Sequence, residues 1–179
     1  MIIGITGKSG VGKTTLAKQL NKNNDFKVIH IDDLSHDIME QDHIKSQLIS
    51  IFGNNIIVNN KIDRKCIGDL IFTNRDLYDK LSKQIWIEIK EQINTIMSTH
   101  DNIILDWILL PQSHYWKMCD RKILITADDN IRKQKVMQRD NISLDYLNKR
   151  DAASIAYDNF DFDEIIHNQY DFKGDKHYE

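Results

Sequence analysis

Five short apolar runs recur along the chain, and segments with helical periodicity separate them. The runs fall at Ile2–Thr6, Lys27–Ile31, Asn102–Asp106, Lys122–Thr126 and Glu164–His167. Each run shows little alternation between apolar and polar residues, which is typical of strands buried on both faces of a parallel sheet. The pattern therefore predicts an α/β fold with three layers (α/β/α), a five-stranded parallel sheet and right-handed crossover connections.

The longest predicted helix runs from about Arg75 to Ser98, with Asn74 as its candidate N-cap. Its apolar residues recur at three- and four-residue spacing, at Leu77, Leu81, Ile85, Ile89, Ile93 and Ile96. We interpret this stripe as core packing. A second helical pattern lies within residues 42–65 and ends at Gly53. The length of the segment between the second and third strands predicts a helical region that binds a substrate, at about residues 42–99.

The glycines concentrate at the start of the chain, where four of the seven fall within the first twelve residues. The segment Gly7–Thr14, GKSGVGKT, matches G-x-x-x-x-G-K-[ST] between a predicted strand and a helix-forming run. Strand, glycine loop and helix are the context of a phosphate-binding loop. The glycines let the backbone aim N–H groups at a phosphate, and the helix N-terminus adds positive potential. The alternative is an ordinary glycine turn with a chance GKT.

The loop predicts the residues that bind a nucleoside triphosphate. Lys13 would reach the β- and γ-phosphates, and the Thr14 hydroxyl would ligate Mg²⁺. The predicted binding residues are Gly7, Lys8, Ser9, Gly10, Val11, Gly12, Lys13, Thr14 and Thr15.

Carboxylates follow two of the predicted strands. Asp32 and Asp33 come after the second run, and Asp106 ends the third. Because ligands of open parallel sheets bind at the carboxyl ends of the strands, one of the first pair would orient or deprotonate an acceptor hydroxyl, or help to hold Mg²⁺. The alternative is a cap for a helix that begins at Leu34. Asp106 would contact Mg²⁺ directly or through water, the alternative being a solvated strand end.

A cationic helix follows the fourth predicted strand. Within Ile131–Asp140, the side chains of Arg132, Lys135 and Arg139 share one face because they lie three and four residues apart. Such a face suits a lid that closes over phosphates and stabilises the charge of a transferred phosphoryl group. The alternative is a solvated basic face.

One short motif points to a different class of protein. The tetrapeptide Asn60–Asp63, NKID, matches the guanine-reading N-K-x-D of GTPases. In GTPases that motif follows a D-x-x-G motif and lies on a late strand. Here no D-x-x-G lies between the phosphate loop and residue 60, and the tetrapeptide precedes a predicted helix. We therefore reject the GTPase interpretation.

Composition limits the partners and the compartment. The 179 residues carry a net charge of −3, so no general nucleic-acid surface is indicated. The cysteines, Cys66 and Cys119, form neither a metal spacing nor a secreted disulfide framework. We expect no signal peptide, because the N-terminus leads directly into a strand without a basic region before it. No apolar run reaches the roughly 20 residues that span a membrane. We expect a cytoplasmic, single-domain protein, monomeric or a small homo-oligomer, without nucleic-acid or membrane partners.

Several segments, taken in chain order, resemble the dephospho-coenzyme A kinase family, which catalyses the last step of coenzyme A synthesis. The opening IGITGKSGVGKTTLAKQL is similar to the start of that family, and VIHIDDLSH to its V-I-D-A-D-x-x-x-[RH]. NKIDRKCIGDLIF resembles G-x-I-D-R-x-x-L-x-x-x-V-F, and NIILDWILLPQS resembles V-x-D-x-P-L-L-x-E. KVMQRDNIS resembles the lid segment, and DEIIHN resembles the closing strand.

The resemblance implies a P-loop kinase fold with a core at about 1–41 and 100–170, the substrate region, and a lid at about 128–153. It implies transfer of the γ-phosphoryl group of ATP, with Mg²⁺, to the ribose 3′-hydroxyl of dephospho-coenzyme A. Asp32 falls on the catalytic Asp of the family, alongside Lys13 and Arg139. The implied acceptor-binding residues are Asp32, His36, Arg64, Phe72 and Leu110, and Trp107 follows Asp106 closely enough to line the acceptor cleft.

Departures from the family pattern keep two other functions open. Trp86-Ile87 replace a His-Pro, Gln112 replaces an acid, and Lys135 replaces a lid arginine. These changes fall around the expected acceptor pocket more than around the ATP site. The alternatives are a nucleoside or deoxynucleoside monophosphate kinase of the same fold, and a non-catalytic ATP-binding module.

Overall fold

The structure is a computed structural model. It describes residues 1–152 and 154–169, except for the side chains of residues 72, 73, 75 and 78. In chain order, the strands and α-helices are β1 (Ile2–Thr6), α1 (Lys13–Leu20), β2 (Lys27–His30), α2 (Ile31–Met39), α3 (Asp42–Phe52), β3 (Ile57–Val58), β4 (Lys61–Ile62), α4 (Arg64–Thr73), α5 (Arg75–Thr99), β5 (Ile103–Asp106), β6 (Arg121–Ala127), α6 (Asp129–Asp140), α7 (Leu144–Ala152) and β7 (Glu164–Asn168). The chain divides into two compact units: residues 1–30 with the described residues from 100 onward, and residues 31–99.

The first unit is built on a five-stranded sheet in the order β2-β5-β1-β6-β7, and every neighbouring pair is parallel. The five predicted strands are confirmed, each to within one residue at either end. The second strand stops at His30 because Ile31 already belongs to α2. The predicted α/β class is therefore confirmed.

The core of this unit lies between the sheet and the first helix. Ile3, Ile5, Ile104, Ile123 and Ile125 come from the three central strands, and they pack with Val11, Leu16 and Ala17 of the loop and α1. Burial of each isoleucine contributes about 1.5–3 kcal/mol to folding. The two residues before the phosphate loop, Ile5 and Thr6, are fully buried, so the packed core fixes the point where the loop begins.

The second unit is helical and is organised around α5. The Leu81, Ile85, Ile89 and Ile93 side chains are buried, and α5 packs against α2, α3 and α4. Asn74 Oδ1 accepts a hydrogen bond from the Leu77 amide at 3.2 Å, as expected for an N-cap. The interpretation of the apolar stripe as core packing is thus confirmed for its four central residues.

The NKID tetrapeptide has a local structural role. Asn59 and Asn60 have φ angles of 51° and 61° and form the two-residue turn of the β3–β4 hairpin. Asp63 caps α4, accepting hydrogen bonds from the Lys65 and Cys66 amides at 3.0 and 3.1 Å. Turn geometry and helix capping account for these residues without a bound guanine.

Candidate active site

The loop between β1 and α1 can be formed only with glycine at its critical positions. Gly7, Gly10 and Gly12 have φ angles of 142°, 85° and 105°, in the region that side chains disfavour. A Cβ on Gly7 would lie 2.3 Å from the Ile125 carbonyl oxygen, and one on Gly10 would lie 2.4 Å from Val136 Cγ2. The predicted strand, glycine loop and helix follow one another as the phosphate-binding motif requires.

Lys13 is the first residue of α1, and its side chain turns back along the loop. Its Nζ donates to the Lys8 carbonyl oxygen at 3.3 Å, and the residue is only 8% exposed. The ammonium group is therefore held beside the loop rather than in solvent. This position beside the loop is the one from which a lysine contacts the terminal phosphates of a bound nucleotide.

Thr14 and Asp106 lie together, as their predicted shared role requires. Thr14 Oγ1 donates to Asp106 Oδ2 at 3.1 Å, and Asp106 is 5% exposed at the carboxyl end of β5. This burial excludes the alternative of a solvated strand end. A second group, His30 Nδ1, lies 2.8 Å from the same carboxylate oxygen.

The donor set fits a cation that arrives with a nucleotide. Within the described residues, no group of three or more His, Cys, Asp or Glu could hold a metal ion by itself. Mg²⁺ prefers oxygen ligands and is usually bound by one or two protein groups together with substrate phosphates. The Thr14 hydroxyl and the Asp106 carboxylate match that arrangement.

His30 lies at this site beside Asp106, and the sequence analysis did not identify it. The signal was its position: His30 is the last residue of β2, and β2 and β5 run parallel with His30 in register with Asp106. Residues at the carboxyl ends of neighbouring strands meet at one edge of the sheet.

The Asp32–Asp33 pair lies inside a helix, which excludes the alternative that one of them caps a helix beginning at Leu34. The helix begins at Ile31 rather than at Leu34, so both aspartates occupy its first turn and neither serves as the cap. Acidic side chains are favourable there because they face the positive end of the helix dipole. Asp32 is half-buried and Asp33 is exposed, which distinguishes the two.

His36 and Arg64, two predicted acceptor-binding residues, lie together in the second unit. Arg64 Nη1 donates to His36 Nδ1 at 2.5 Å, so the imidazole acts as the acceptor and is neutral. The pKa of His36 is lowered from 6.5 chiefly by burial and then by the Arg64 charge, against the opposing charges of Asp33 and Asp37.

This lowered pKa predicts a pH dependence of folding. The unfolded chain binds a proton at His36 more readily than the folded chain, so stability declines as the pH falls below 6.5, until the lowered folded pKa is passed. His36→Asn keeps an acceptor for Arg64 but cannot be protonated. We expect urea unfolding at about pH 5.5 and about pH 7.5 to show a smaller loss on acidification for the variant. Equal losses in both proteins would contradict this explanation.

Arg132 does not belong to a free cationic face, which corrects the lid prediction. It is 1% exposed and is bound by Asp129 Oδ1 at 2.5 Å, by Asp151 and, through Nη1, by the Ser9 carbonyl oxygen at 3.2 Å. Burial disfavours its charged form, but the hydrogen bonds to Asp151 and Asp129 outweigh burial and raise its pKa. Arg132 lies on α6 and binds both Asp151 of α7 and Ser9 of the loop, so it connects α6 and α7 to the phosphate loop.

Arg139 lies at the phosphate loop, and its role as a lid cation stays a prediction. Its Nη2 donates to Ser9 Oγ at 3.2 Å, and its Nε donates to Asp140 at 2.6 Å. Asp140 also accepts from Arg150 at 3.1 Å. Burial tends to raise the pKa of Asp140, but the hydrogen bonds from the two arginines lower it overall. Arg139 is thus an exposed cation that donates a hydrogen bond to the loop residue Ser9.

The buried ion pair predicts a large stability effect. Arg132→Met would leave the Asp151 carboxylate, which is only 14% exposed, without its cation, and we expect a loss of about 3 kcal/mol in the free energy of unfolding. Lys133→Met removes a surface partner of Asp129 on the same helix and should cost under about 1 kcal/mol. Denaturant unfolding of both variants tests the difference. Equal small losses would show that the buried contacts of Arg132 contribute little.

Three further predicted residues have different outcomes. Leu110 is fully buried, and its Cδ2 lies 3.1 Å from where a Cβ on Gly4 would be, so it packs in the core rather than at an accessible binding surface. Trp107 is half-buried directly after Asp106, with its amide donating to the Ile5 carbonyl oxygen at 3.1 Å. The Phe72 side chain lies outside the described residues.

A phosphate loop with its lysine beside it, and a threonine hydroxyl bonded to a strand-end carboxylate, define the nucleotide site of a P-loop phosphotransferase. The sequence profile of the dephospho-CoA kinase family matches residues 1–169. The chain therefore belongs to the dephospho-CoA kinase family, and it is an enzyme whose co-substrate is ATP.

Known relatives agree with this family, and solved structures share the fold. The chain is 33% identical over 157 residues to the dephospho-CoA kinase of Fusobacterium nucleatum, covering 83% of this chain and 78% of the relative. It is 29% identical over 177 residues to that of Oceanobacillus iheyensis, covering 89% and 88%. A crystal structure from Thermus thermophilus shares the fold with a TM-score of 0.77 at 22% identity, covering 97% and 91%. A dephospho-CoA kinase structure from Campylobacter jejuni gives 0.57 at 22% identity, covering 96% and 90%.

The part of the chain that the structure describes contains no helix long and apolar enough to cross a membrane.

Proposed function

We infer that this enzyme transfers the γ-phosphoryl group of ATP to the ribose 3′-hydroxyl of dephospho-coenzyme A, giving coenzyme A and ADP. The hydroxyl oxygen forms a bond to the γ-phosphorus, the bond from that phosphorus to the β–γ bridging oxygen breaks, and ADP leaves with the electron pair. The acceptor's proton passes to a carboxylate. Family membership supports the reaction and the identity of the acceptor, and the geometry of the phosphate loop supports binding of the nucleotide.

We assign the phosphoryl-donor half of the reaction to the first unit. The loop amides and Lys13 hold the phosphates, and Arg139 approaches from α6, where it already donates to Ser9. Mg²⁺ bound with the nucleotide would neutralise charge on the β- and γ-phosphates. Thr14 and Asp106 would hold it, which their hydroxyl and carboxylate oxygens support.

We assign the acceptor half to the second unit. Asp32 accepts the proton of the 3′-hydroxyl or orients that hydroxyl, a role supported by its half-buried position in the first turn of α2. Arg64 contacts the phosphates of the acceptor, with its guanidinium oriented by His36. The lack of a secreted disulfide framework supports a cytoplasmic location, which forms part of the same proposal.

The nucleoside monophosphate kinase alternative is not favoured, because the family match runs from residue 1 to residue 169 and includes the acceptor segments. Lys13 and Thr14 at the loop, with Arg139 beside it, also argue against a non-catalytic ATP-binding module.

The acceptor is tested by measuring ADP release with Mg-ATP. Dephospho-coenzyme A is compared with a panel of nucleosides and nucleoside monophosphates, and a Lys13→Ala preparation serves as the blank. We expect turnover with dephospho-coenzyme A alone. Turnover only with a nucleotide or nucleoside would show that the enzyme is a phosphotransferase with a different acceptor. ATP binding without turnover on any acceptor would support the non-catalytic ATP-binding module.

A further inference from the structure

We propose that His30 is a positioning residue for the cation site, holding the Asp106 carboxylate in the orientation that Mg²⁺-nucleotide binding needs. The inference rests on the proposed role of Asp106 in supporting that cation. His30 stands where the pattern V-I-D-A-D has its first acid. An ionised acid there could only accept hydrogen bonds, whereas an imidazole can donate one to a neighbouring carboxylate.

The contacts of Asp106 are asymmetric. Both Thr14 Oγ1, at 3.1 Å, and His30 Nδ1, at 2.8 Å, bind the same oxygen, Oδ2. Because an ionised carboxylate only accepts, Nδ1 must carry the proton in this pair. Within the described residues, no donor contacts Oδ1. Oδ1 is also absent from the set of fully buried side-chain atoms that lack a hydrogen-bond partner, so it is not sealed in the core. Oδ1 therefore remains available to a cation or to its water.

The backbone makes the arrangement rigid. His30 and Asp106 are in-register partners at the ends of the parallel strands β2 and β5, so their separation is fixed by sheet hydrogen bonds rather than by a loop. The His30–Asp106 contact is largely shielded, with side-chain exposures of 26% and 5%. Groups that hydrogen-bond a metal-binding carboxylate orient it, and their loss typically costs 10–100-fold in metal affinity.

Three variants separate positioning from general packing. His30→Leu removes the donor, His30→Asn places an amide nitrogen near the Nδ1 position, and His30→Gln keeps polarity but displaces the donor. The readout is the MgCl₂ concentration that gives half-maximal enhancement of ADP binding in calorimetry, with ADP affinity in excess chelator measured alongside. We expect Leu and Gln to raise this concentration on the order of tenfold and Asn to restore most of the difference. ADP affinity without Mg²⁺ should be unchanged in all three.

A double-mutant cycle tests whether His30 acts through Asp106. Asp106→Asn alone should raise the Mg²⁺ requirement, and His30→Leu in that background should add little. His43→Leu is the matched control, because it removes a histidine from a surface pair with Glu88 at 3.3 Å, and it should leave the requirement unchanged.

The outcomes distinguish this inference from the proposed function beneath it. If Asp106→Asn raises the Mg²⁺ requirement while His30→Leu and His30→Gln do not, the positioning role of His30 is wrong and the role of Asp106 stands. A full effect of His30→Leu in the Asp106→Asn background also overturns it. If Asp106→Asn leaves the requirement unchanged, the cation assignment in the proposed function fails, and this inference fails with it.

Discussion

Asp32→Asn should lower kcat by roughly 10²- to 10⁴-fold, the usual contribution of a positioned general base. Asparagine has nearly the same size as aspartate but cannot take the proton of the acceptor hydroxyl. Asp32 lies in the first turn of α2, after β2 has ended and apart from the phosphate loop in sequence. ATP binding, measured by calorimetry with a non-hydrolysable analogue, should therefore be nearly unchanged.

The adjacent residue supplies the control. Asp33 lies in the same turn but is exposed, so Asp33→Asn makes the same chemical change one position away. We expect its kcat to stay within about threefold of the unmodified enzyme, since surface substitutions seldom have large effects. Near-normal turnover of Asp32→Asn would remove Asp32 from the base role. A large loss in Asp33→Asn alone would transfer that role to Asp33.

Lys13→Met should lower kcat by about 10²- to 10³-fold, comparable to the loss of one preorganised group that stabilises transition-state charge. The ammonium group is held beside the loop by its hydrogen bond to the Lys8 carbonyl oxygen. Methionine keeps much of the length of the side chain and removes the charge, so the fold should be retained while charge on the transferred phosphoryl group is no longer stabilised. Steady-state kinetics with varied ATP measures the effect.

Lys18→Met is the matched control for the lysine substitution. Lys18 lies on the same helix but is exposed, so its loss should change kcat by less than about twofold. Comparable losses in both variants would mean that the net charge of α1, rather than the position of Lys13, supports the reaction.

The sheet and the phosphate loop could be predicted because local sequence determines them. Five apolar runs of low alternation indicated buried parallel strands, and each lies within one residue of its expected position. The glycine spacing indicated a backbone that only glycine adopts easily, and Gly7, Gly10 and Gly12 do have positive φ angles. Both signals need only near neighbours in the chain.

The roles of Arg132 and His30 could not be derived in this way, because their partners are distant in sequence. Helical spacing placed Arg132 on one face with Arg139, but Asp151 on α7 and the Ser9 carbonyl oxygen bury it. His30 is separated from Asp106 by 76 residues and meets it only through strand register. A charge pattern on one helix does not reveal an ion pair made with another.

Two further expectations from the local sequence differ from the structure. The local sequence also allows Asp32 or Asp33 to cap a helix that begins at Leu34, yet α2 begins at Ile31, directly after β2. Leu110 was assigned to the acceptor from its place in a motif, whereas the tight packing at Gly4 draws it into the core. For Leu110, packing in the core outweighs the expectation from the motif.

Identification of the product with dephospho-coenzyme A and Mg-ATP tests the central claim most directly. Mass spectrometry would count the phosphates added, and phosphorus NMR would locate them, with a Lys13→Ala preparation as the blank. We expect one phosphate on the ribose 3′-oxygen, giving coenzyme A, in stoichiometric balance with ADP. No transfer to dephospho-coenzyme A, or transfer to another position, would contradict the assignment of this enzyme's acceptor.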